Sequence, residues 1–218
     1  MSGAFVTFEG IEGSGKSTQA GRLSERLRRA GRDVVLTREP GGTALGRQLR
    51  ALLLAAESPV LPEAELLLYA ADRAQHVAET IAPALARGAV VLCDRFLDAT
   101  LAYQGAARGL GSEAVLALHR RAPLDLRPRR TVLLDLDPAV ALARARGRDA
   151  ARGGSLDEGR FEAEPLDFHR KVREGYLAIA AAEPDRVRVV PAADDPERVE
   201  KAVLGALTDL FPELGEST

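Results

Sequence analysis

The segment GIEGSGKS at residues 10–17 constrains the fold most, because it lies between a short apolar run and a helical pattern. It fits the pattern G-x-x-x-x-G-K-S/T, whose glycines let the backbone turn tightly and bring its N–H groups onto phosphate oxygens. The positive end of the following helix points at the same oxygens. The strand–loop–helix order therefore predicts a nucleoside triphosphate site at the end of a strand.

Individual residues of this loop have predictable tasks. Lys16 is expected to bridge the β- and γ-phosphates, and the Ser17 hydroxyl to ligate Mg²⁺. Glu12 is unusual in such a loop and predicts a nearby magnesium ion, sugar hydroxyl or arginine. The chain has no N-K-x-D-like segment, which argues against a switch GTPase. The loop residues predicted to bind ATP are Gly10, Ile11, Glu12, Gly13, Ser14, Gly15, Lys16, Ser17 and Thr18.

Short apolar runs alternate with longer helical patterns along the 218 residues. Strands are predicted at residues 4–9, 33–37, 89–94, 130–136 and 186–191. Helices are predicted near residues 16–30, 44–56, 63–87, 113–121, 139–146, 166–182 and 196–210. Because alternating strands and helices favour right-handed crossovers, we predict an α/β fold with a mainly parallel sheet and ligands at its carboxyl edge.

Composition excludes several classes of protein. The net charge of −2 argues against a protein that binds nucleic acid or an anionic membrane surface. Cys93 is the only cysteine, so no intramolecular disulfide is possible and a reducing compartment is expected. No run of 18 apolar residues and no signal-peptide pattern occurs. We therefore expect a cytoplasmic protein without a membrane span, in a single domain covering residues 1–218.

Asp94 ends the predicted strand at residues 89–94, and Arg95 follows it directly. An acidic residue at this place typically supports magnesium or its water shell, and an arginine beside it can bind a phosphate with two hydrogen bonds. The alternative is a surface salt bridge. The position at the carboxyl end of a strand favours the functional interpretation.

Two segments fit neither strand nor helix, namely residues 38–43 and residues 144–160. The first is rich in Gly and Pro, and the second combines glycines with Arg144, Arg146, Arg148, Arg152 and Arg160. Because glycine permits hinge motion and arginine binds phosphate, both are candidate mobile segments that handle substrate. The alternative for each is an ordinary solvated loop.

Five segments together resemble the thymidylate kinase family, in the same order and over nearly the whole chain. They are FEGIEGSGKSTQ at residues 8–19, TREPGGT at 37–43, LLYAADRAQH at 67–76, DRFLDATLAYQG at 94–105 and an Arg-rich segment ending in GRFE at 159–162. The resemblance implies a P-loop nucleoside monophosphate kinase fold with a five-stranded parallel sheet flanked by helices. It further implies transfer of the γ-phosphoryl group of MgATP to dTMP, an Arg-rich lid at about residues 144–162, and a homodimer formed through helices.

The resemblance also assigns roles in the acceptor site, at about residues 38–76 and 94–105. Tyr69 would stack on thymine and Arg73 would hydrogen-bond a base carbonyl. Tyr103 would crowd the 2′ position, Arg95 would bind the dTMP phosphate, and Glu12 would lie near the 3′-hydroxyl and the magnesium ion. The implied acceptor residues are Glu12, Arg38, Pro40, Tyr69, Arg73, Arg95, Thr100, Tyr103 and Gln104. Ser17, Glu12 and Asp94 would hold Mg²⁺, directly or through water.

Two positions depart from the family pattern. Ala99 stands where the family usually has serine, and Gly13 stands where one branch has an arginine. In the branch without that arginine, lid arginines supply the positive charge. We therefore expect Lys16, Arg95, Arg148 and Arg152 to act in catalysis, and Arg144 and Arg148 to contact ATP.

No general base is expected, because the second pKa of the acceptor phosphate is about 6 and its attacking oxygen is already largely deprotonated at neutral pH. His76, His119 and His169 show no metal-ligand spacing and are interpreted as structural or surface residues. Two other functions remain open: a kinase for another nucleoside monophosphate, such as dUMP, CMP or AMP, and a regulatory P-loop ATPase. The second would have no need for Arg73, Tyr103 and an Arg-rich lid together.

Overall fold

A computed structural model describes residues 3–55, 59–121, 125–151 and 159–214 and places five parallel strands of these ranges in one sheet. The strands are β1 (Ala4–Glu9), β2 (Val34–Arg38), β3 (Val90–Asp94), β4 (Arg130–Asp135) and β5 (Val187–Pro191). Their order is β2-β3-β1-β4-β5, and every neighbouring pair is parallel. Each predicted strand is confirmed to within one residue at either end, and so is the α/β class.

Helices connect the strands and cover both faces of the sheet. They are α1 (Lys16–Arg29), α2 (Ala44–Leu54), α3 (Pro62–His76), α4 (Ala82–Ala86), α5 (Leu97–Thr100), α6 (Ser112–Arg121), α7 (Pro138–Ala151), α8 (Leu166–Ala182) and α9 (Pro196–Gly205). Two π-helical segments, Val77–Ile81 and Leu101–Ala107, continue α3 and α5. In the part of the chain that the structure describes, no helix has the length and apolarity needed to cross a membrane.

The helical predictions need several corrections. The stretch predicted as one helix at 63–87 is interrupted by the π-helical segment just before Pro83, which lacks an N–H group and would crowd the carbonyl of Glu79 in a regular α-helix. Residues 97–107 are helical, which the sequence analysis did not predict. The last helix ends at Gly205 rather than at residue 210.

The segment predicted to be irregular at residues 144–160 begins as a helix, because α7 continues to Ala151. Alanine and arginine have high helix propensity, and here they outweigh the single Gly147. The side chain of Arg148 and the whole of Arg152 lie outside the described residues. Their predicted roles therefore stay predictions.

Alternate side chains of the strands point into two apolar clusters, one on each face of the sheet. Val6 and Phe8 of β1 pack in the first cluster, whereas Phe5 packs in the second. The sheet register pairs Phe8 of β1 with Asp94 of β3. The loop after β1 and the residues after β3 consequently meet at one edge of the sheet.

His119 on α6 is buried without a hydrogen-bond partner in the described part of the chain. Its side chain is 3% exposed, and neither ring nitrogen is bonded. Its ring packs edge-on against Phe96, with the centroids 6.1 Å apart. Burial, together with the positive charge of Arg73, lowers the pKa of His119 to about 4.

Replacing this histidine, His119→Leu, is expected to flatten the acid side of the pH–stability curve. The pKa of histidine is about 6.5 in the unfolded chain and about 4 in this fold, so the folded state takes up a proton less readily. Above pH 6.5 the histidine is neutral in both states and the free energy of unfolding is at its full value. As pH falls toward 4, protonation of the unfolded chain lowers that free energy. Each unit of pKa difference corresponds to about 1.4 kcal/mol. Urea unfolding at pH 7.5 and pH 4.5 measures the difference. If the parent and His119→Leu lost the same free energy of unfolding between pH 7.5 and pH 4.5, the prediction would be contradicted.

Candidate active site

A cleft of about 440 Å³ lies at the carboxyl edge of β1, β2 and β3. It is lined by the loop after β1, the segment after β2, helix α3 and the segment after β3. The predicted site residues that line it are Glu12, Gly13, Gly15, Lys16, Ser17, Thr18, Arg38, Pro40, Tyr69, Arg73, Asp94, Arg95, Thr100, Tyr103 and Gln104. Residues predicted to bind the donor and residues predicted to bind the acceptor thus share one continuous space.

Gly13 lies where the loop touches α7 and has a left-handed backbone, with φ of 77°. A Cβ atom added here would lie 2.1 Å from the carbonyl oxygen of Ala141. No side chain fits at this position unless α7 moves away. This contact gives a physical reason why the arginine of one family branch is absent from this loop.

Lys16 folds back over the loop from the first turn of α1. Its Nζ donates to the carbonyl oxygen of Ile11 at 2.8 Å, and the residue is only 7% exposed. Burial and the neighbouring charge of Arg95 lower the pKa of Lys16 to about 8. The ammonium group is therefore still mostly charged at pH 7 and is held at the mouth of the loop.

The structure brings the predicted metal ligands Ser17 and Asp94 together, since the Ser17 hydroxyl donates to Oδ2 of Asp94. A hydroxyl and a carboxylate are oxygen donors of the kind that Mg²⁺ prefers. The third predicted ligand, Glu12, bonds to other groups. Among the described residues, no cluster of three or more His, Cys, Asp or Glu side chains is arranged as a metal site by itself. The donor set suits an ion that is shared with nucleotide phosphates.

Glu12 forms a compact cluster with Arg95 and Tyr103. Its Oε1 accepts from the Arg95 guanidinium at 2.6 Å, and its Oε2 accepts from the Tyr103 hydroxyl at 2.7 Å. The guanidinium also lies 4.9 Å from the centroid of the Tyr103 ring. Burial would raise the pKa of Glu12, but the charges of Arg95 and Lys16 and the Tyr103 hydroxyl hold it below its ordinary value. Of the three partners expected for Glu12, the structure shows the arginine.

Arg73 on α3 is buried and fixed by several acceptors. Its Nε donates to Glu39 at 2.9 Å, and one terminal nitrogen donates to the Thr100 hydroxyl at 2.8 Å and to the Phe96 carbonyl at 3.1 Å. Tyr69 lies one helical turn earlier and also lines the cleft. This arrangement places a ring and an oriented guanidinium in the lining of the same cleft.

The segment at residues 38–43 is anchored to α3 rather than free in solvent. Glu39 accepts from His76 at 2.9 Å, and the Gly41 N–H donates to Asp72 at 3.1 Å. Gly42 packs so closely that a Cβ atom would lie 2.3 Å from Nε2 of His76. Asp72, Arg73 and His76 therefore hold this segment against the cleft. His76 has the structural role that the sequence analysis gave it.

The arginines of the Arg-rich segment have different surroundings. Arg144 donates to the carbonyl oxygens of Ala192 and Ala193, at 2.8 and 2.7 Å. Arg146 is exposed. Arg160 bonds to the carbonyl of Leu53 at 2.8 Å and pairs with the buried carboxylate of Glu65.

Four residues that the sequence analysis did not single out hold the predicted ones in place. Glu39 fixes Arg73, and Glu65 accepts from the amide of Gln104 at 2.6 Å. Glu9 and Tyr176 lie beneath Arg95. These contacts join distant parts of the chain. Glu9 and Glu39 did lie inside the family segments, which was the only signal that could have pointed to them.

Comparisons with known proteins point to one family. A sequence model described as thymidylate kinase matches residues 8–203. The thymidylate kinase of Solidesulfovibrio magneticus is 56% identical over 208 residues, covering 95% of this chain and 100% of that protein. The thymidylate kinase of Geobacter sulfurreducens is 52% identical over 211 residues, covering 96% and 99%. The crystal structure of thymidylate kinase from Ehrlichia chaffeensis matches with a TM-score of 0.75 at 33% identity, covering 95% and 99%.

Proposed function

The chain belongs to the thymidylate kinase family, and we propose that it transfers the γ-phosphoryl group of ATP to dTMP, giving dTDP and ADP in the synthesis of dTTP. The observation that carries this proposal is the shared cleft. It joins the phosphate-binding loop to Arg95 and to the pocket of Tyr69 and Arg73 without an intervening barrier. A donor and an acceptor can therefore meet in line within one space.

At the proposed donor end, residues 12, 13 and 15–18 of the loop line the cleft. The N–H groups of the loop and the Nζ of Lys16 would bind the β- and γ-phosphates, exchanging the Ile11 carbonyl for phosphate oxygens. Ser17 and Asp94 would hold Mg²⁺, with Glu12 acting through water, and the ion would neutralise charge on the phosphates. Arg144 and Arg148 of α7 are proposed to reach ATP, and Arg148 and Arg152 to stabilise the transferred group.

The acceptor end suits a thymine deoxynucleotide. Tyr69 would stack on the base, and Arg73, oriented by Glu39 and Thr100, would donate to a base carbonyl. Arg95 would bind the acceptor phosphate, and Tyr103 would crowd the 2′ position. The remaining proposed contacts are Glu12 with the 3′-hydroxyl, and Arg38, Pro40, Thr100 and Gln104 along the pocket wall.

We propose phosphoryl transfer without a general base. The acceptor phosphate has a second pKa of about 6 and is already largely deprotonated at neutral pH. The chain's residues would position the two phosphates, stabilise the charge on the transferred group and exclude water when the Arg-rich lid closes. Catalysis would rest on the positive charges of Lys16, Arg95 and the lid arginines.

Three broader properties are also proposed. The chain would act as one kinase domain. It would work in the cytoplasm, where ATP is available and a reducing environment keeps its single cysteine, the buried Cys93, as a free thiol. It would form a homodimer, and the exposed apolar side chains Leu52, Leu61 and Leu67 on and near α2 and α3 are consistent with a covered face. Sedimentation velocity would test the dimer, and a monomer at micromolar concentration would contradict it.

An assay of ADP release with dTMP, dUMP, UMP, CMP, AMP and GMP tests the acceptor. We expect dTMP to give the highest kcat/KM, because Tyr69 and Arg73 would contact the base and Tyr103 would contact the sugar. A higher value for another monophosphate would favour a kinase of different specificity. A fast ATPase that is indifferent to every monophosphate would favour a regulatory ATPase instead.

A further inference from the structure

Arg95 has an unusual backbone. Its φ is 69°, and among the described residues every other positive φ belongs to a glycine. A non-glycine residue in this left-handed region is strained, and such strain persists only where surrounding contacts enforce it. The N–H group of Arg95 donates to the Phe8 carbonyl at 2.9 Å, and the N–H group of the next residue, Phe96, donates to Oε1 of Glu9 at 2.7 Å.

Glu9 is a carboxylate beneath the cleft, at the end of β1. It is fully buried and does not line the cleft. Its second oxygen, Oε2, accepts from the Tyr176 hydroxyl at 2.8 Å. Burial and the nearby charge of Asp98 raise the pKa of Glu9 to about 7. Each oxygen of this buried carboxyl group thus accepts a hydrogen bond, one from the backbone after Arg95 and the other from a tyrosine hydroxyl.

The Tyr176 hydroxyl connects this carboxylate to the side chain of Arg95. It donates to Glu9 and accepts from one terminal nitrogen of the guanidinium at 3.1 Å. The same nitrogen donates to the Gly10 carbonyl at 3.0 Å. Tyr176 is 2% exposed, and its ring packs 6.3 Å, between centroids, from the ring of Tyr103.

The two terminal nitrogens of Arg95 therefore face different surroundings. One bonds to Tyr176 and Gly10 beneath the cleft. The other bonds to Glu12 at 2.6 Å and to the Tyr103 hydroxyl at 3.1 Å, and both of these residues line the cleft. An acceptor phosphate in the cleft can replace the bonds to Glu12 and Tyr103, while the bonds to Tyr176 and Gly10 remain. The guanidinium would then keep its direction during the exchange.

We propose that Tyr176 and Glu9 are positioning residues, which fix the guanidinium of Arg95 for the phosphate of the acceptor. This inference rests on the proposed function, in which Arg95 binds that phosphate. Neither residue touches the reacting atoms. Their effect passes through Arg95, so it should concern the phosphate of dTMP and not its base or sugar.

The variant Tyr176→Phe tests the inference, because it removes one hydroxyl and keeps the ring. Isothermal titration calorimetry would measure the Kd of dTMP and of thymidine, which lacks the phosphate. We expect the Kd of dTMP to rise about 10-fold, as for loss of a hydrogen bond to a charged group, and the Kd of thymidine to stay the same. The variant Glu9→Gln should show the same selective loss. In an Arg95→Lys background, Tyr176→Phe should add no further loss.

The control variant Arg170→Gln changes an exposed residue of the same helix, α8, and should leave both Kd values unchanged. Thermal unfolding of each variant shows whether it is folded. An unchanged dTMP affinity, or an equal loss for dTMP and thymidine, would overturn the positioning role alone. A wild-type protein that binds thymidine and dTMP equally would overturn the proposed contact of Arg95, and the inference with it.

Discussion

The Lys16→Ala variant is expected to lose about 10³-fold or more in kcat while the chain stays folded. In the proposed function, Lys16 is the side chain of the loop that would carry positive charge to the β- and γ-phosphates. Its buried ammonium group carries a desolvation cost, which is reflected in the lowering of its pKa to about 8, so removing it is not expected to unfold the protein. Initial-rate measurements with saturating ATP and dTMP give kcat, and thermal unfolding gives stability.

The lysine at position 201 offers a matched control. Lys201 is exposed on α9, away from the cleft, and Lys201→Ala should keep the parent kcat. A kcat of Lys16→Ala within a few-fold of the parent would contradict the role of the loop. A large loss in Lys201→Ala as well would show that the effect is not specific to Lys16.

The Arg95→Gln variant is expected to lower kcat/KM for dTMP by about 10³-fold. The change removes the positive charge that is proposed to bind the acceptor phosphate. It also leaves the Glu12 carboxylate without its partner at 2.6 Å, so that two negative charges meet when dTMP enters. Arg95→Lys keeps the charge but cannot reproduce the bonds of both terminal nitrogens, and we expect an intermediate loss.

Steady-state rates at varied dTMP and varied ATP separate the two ends of the cleft for this variant. The KM for ATP should change by no more than a few-fold, since the proposed donor site at residues 10–18 is left unchanged. Thymidine binding should persist and so show that the base pocket is intact. A kcat/KM for dTMP close to that of the parent would contradict the assignment of Arg95 to the acceptor phosphate.

The strands and the phosphate-binding loop could be predicted because their signals are local. Each strand is a short apolar run bounded by turns. The glycines of residues 10–17 determine how the backbone of the loop turns. The family resemblance supplied the acceptor residues, and those with described positions line one cleft. The π-helical segments and the full length of α7 were not predicted. Their occurrence depends on small differences in helix packing and helix propensity.

Contacts between distant residues could not be predicted from the sequence. Glu9 and Tyr176 are 167 positions apart in the sequence, and no sequence motif contains both of them. The bond between Arg73 and Glu39 spans 34 positions. The space around Gly13 depends on how closely α7 approaches the loop. Such contacts follow from the fold as a whole, and only coordinates reveal which side chains orient the ones that bind substrate.

The most direct test of phosphoryl transfer to dTMP is the ratio of dTDP to ADP formed by the wild-type protein, measured by chromatography with γ-labelled ATP. We predict one labelled dTDP for every ADP, and much slower ADP formation without dTMP, because closure of the proposed lid would exclude water as an acceptor. ADP produced without labelled dTDP, at a rate indifferent to dTMP, would contradict the proposed function.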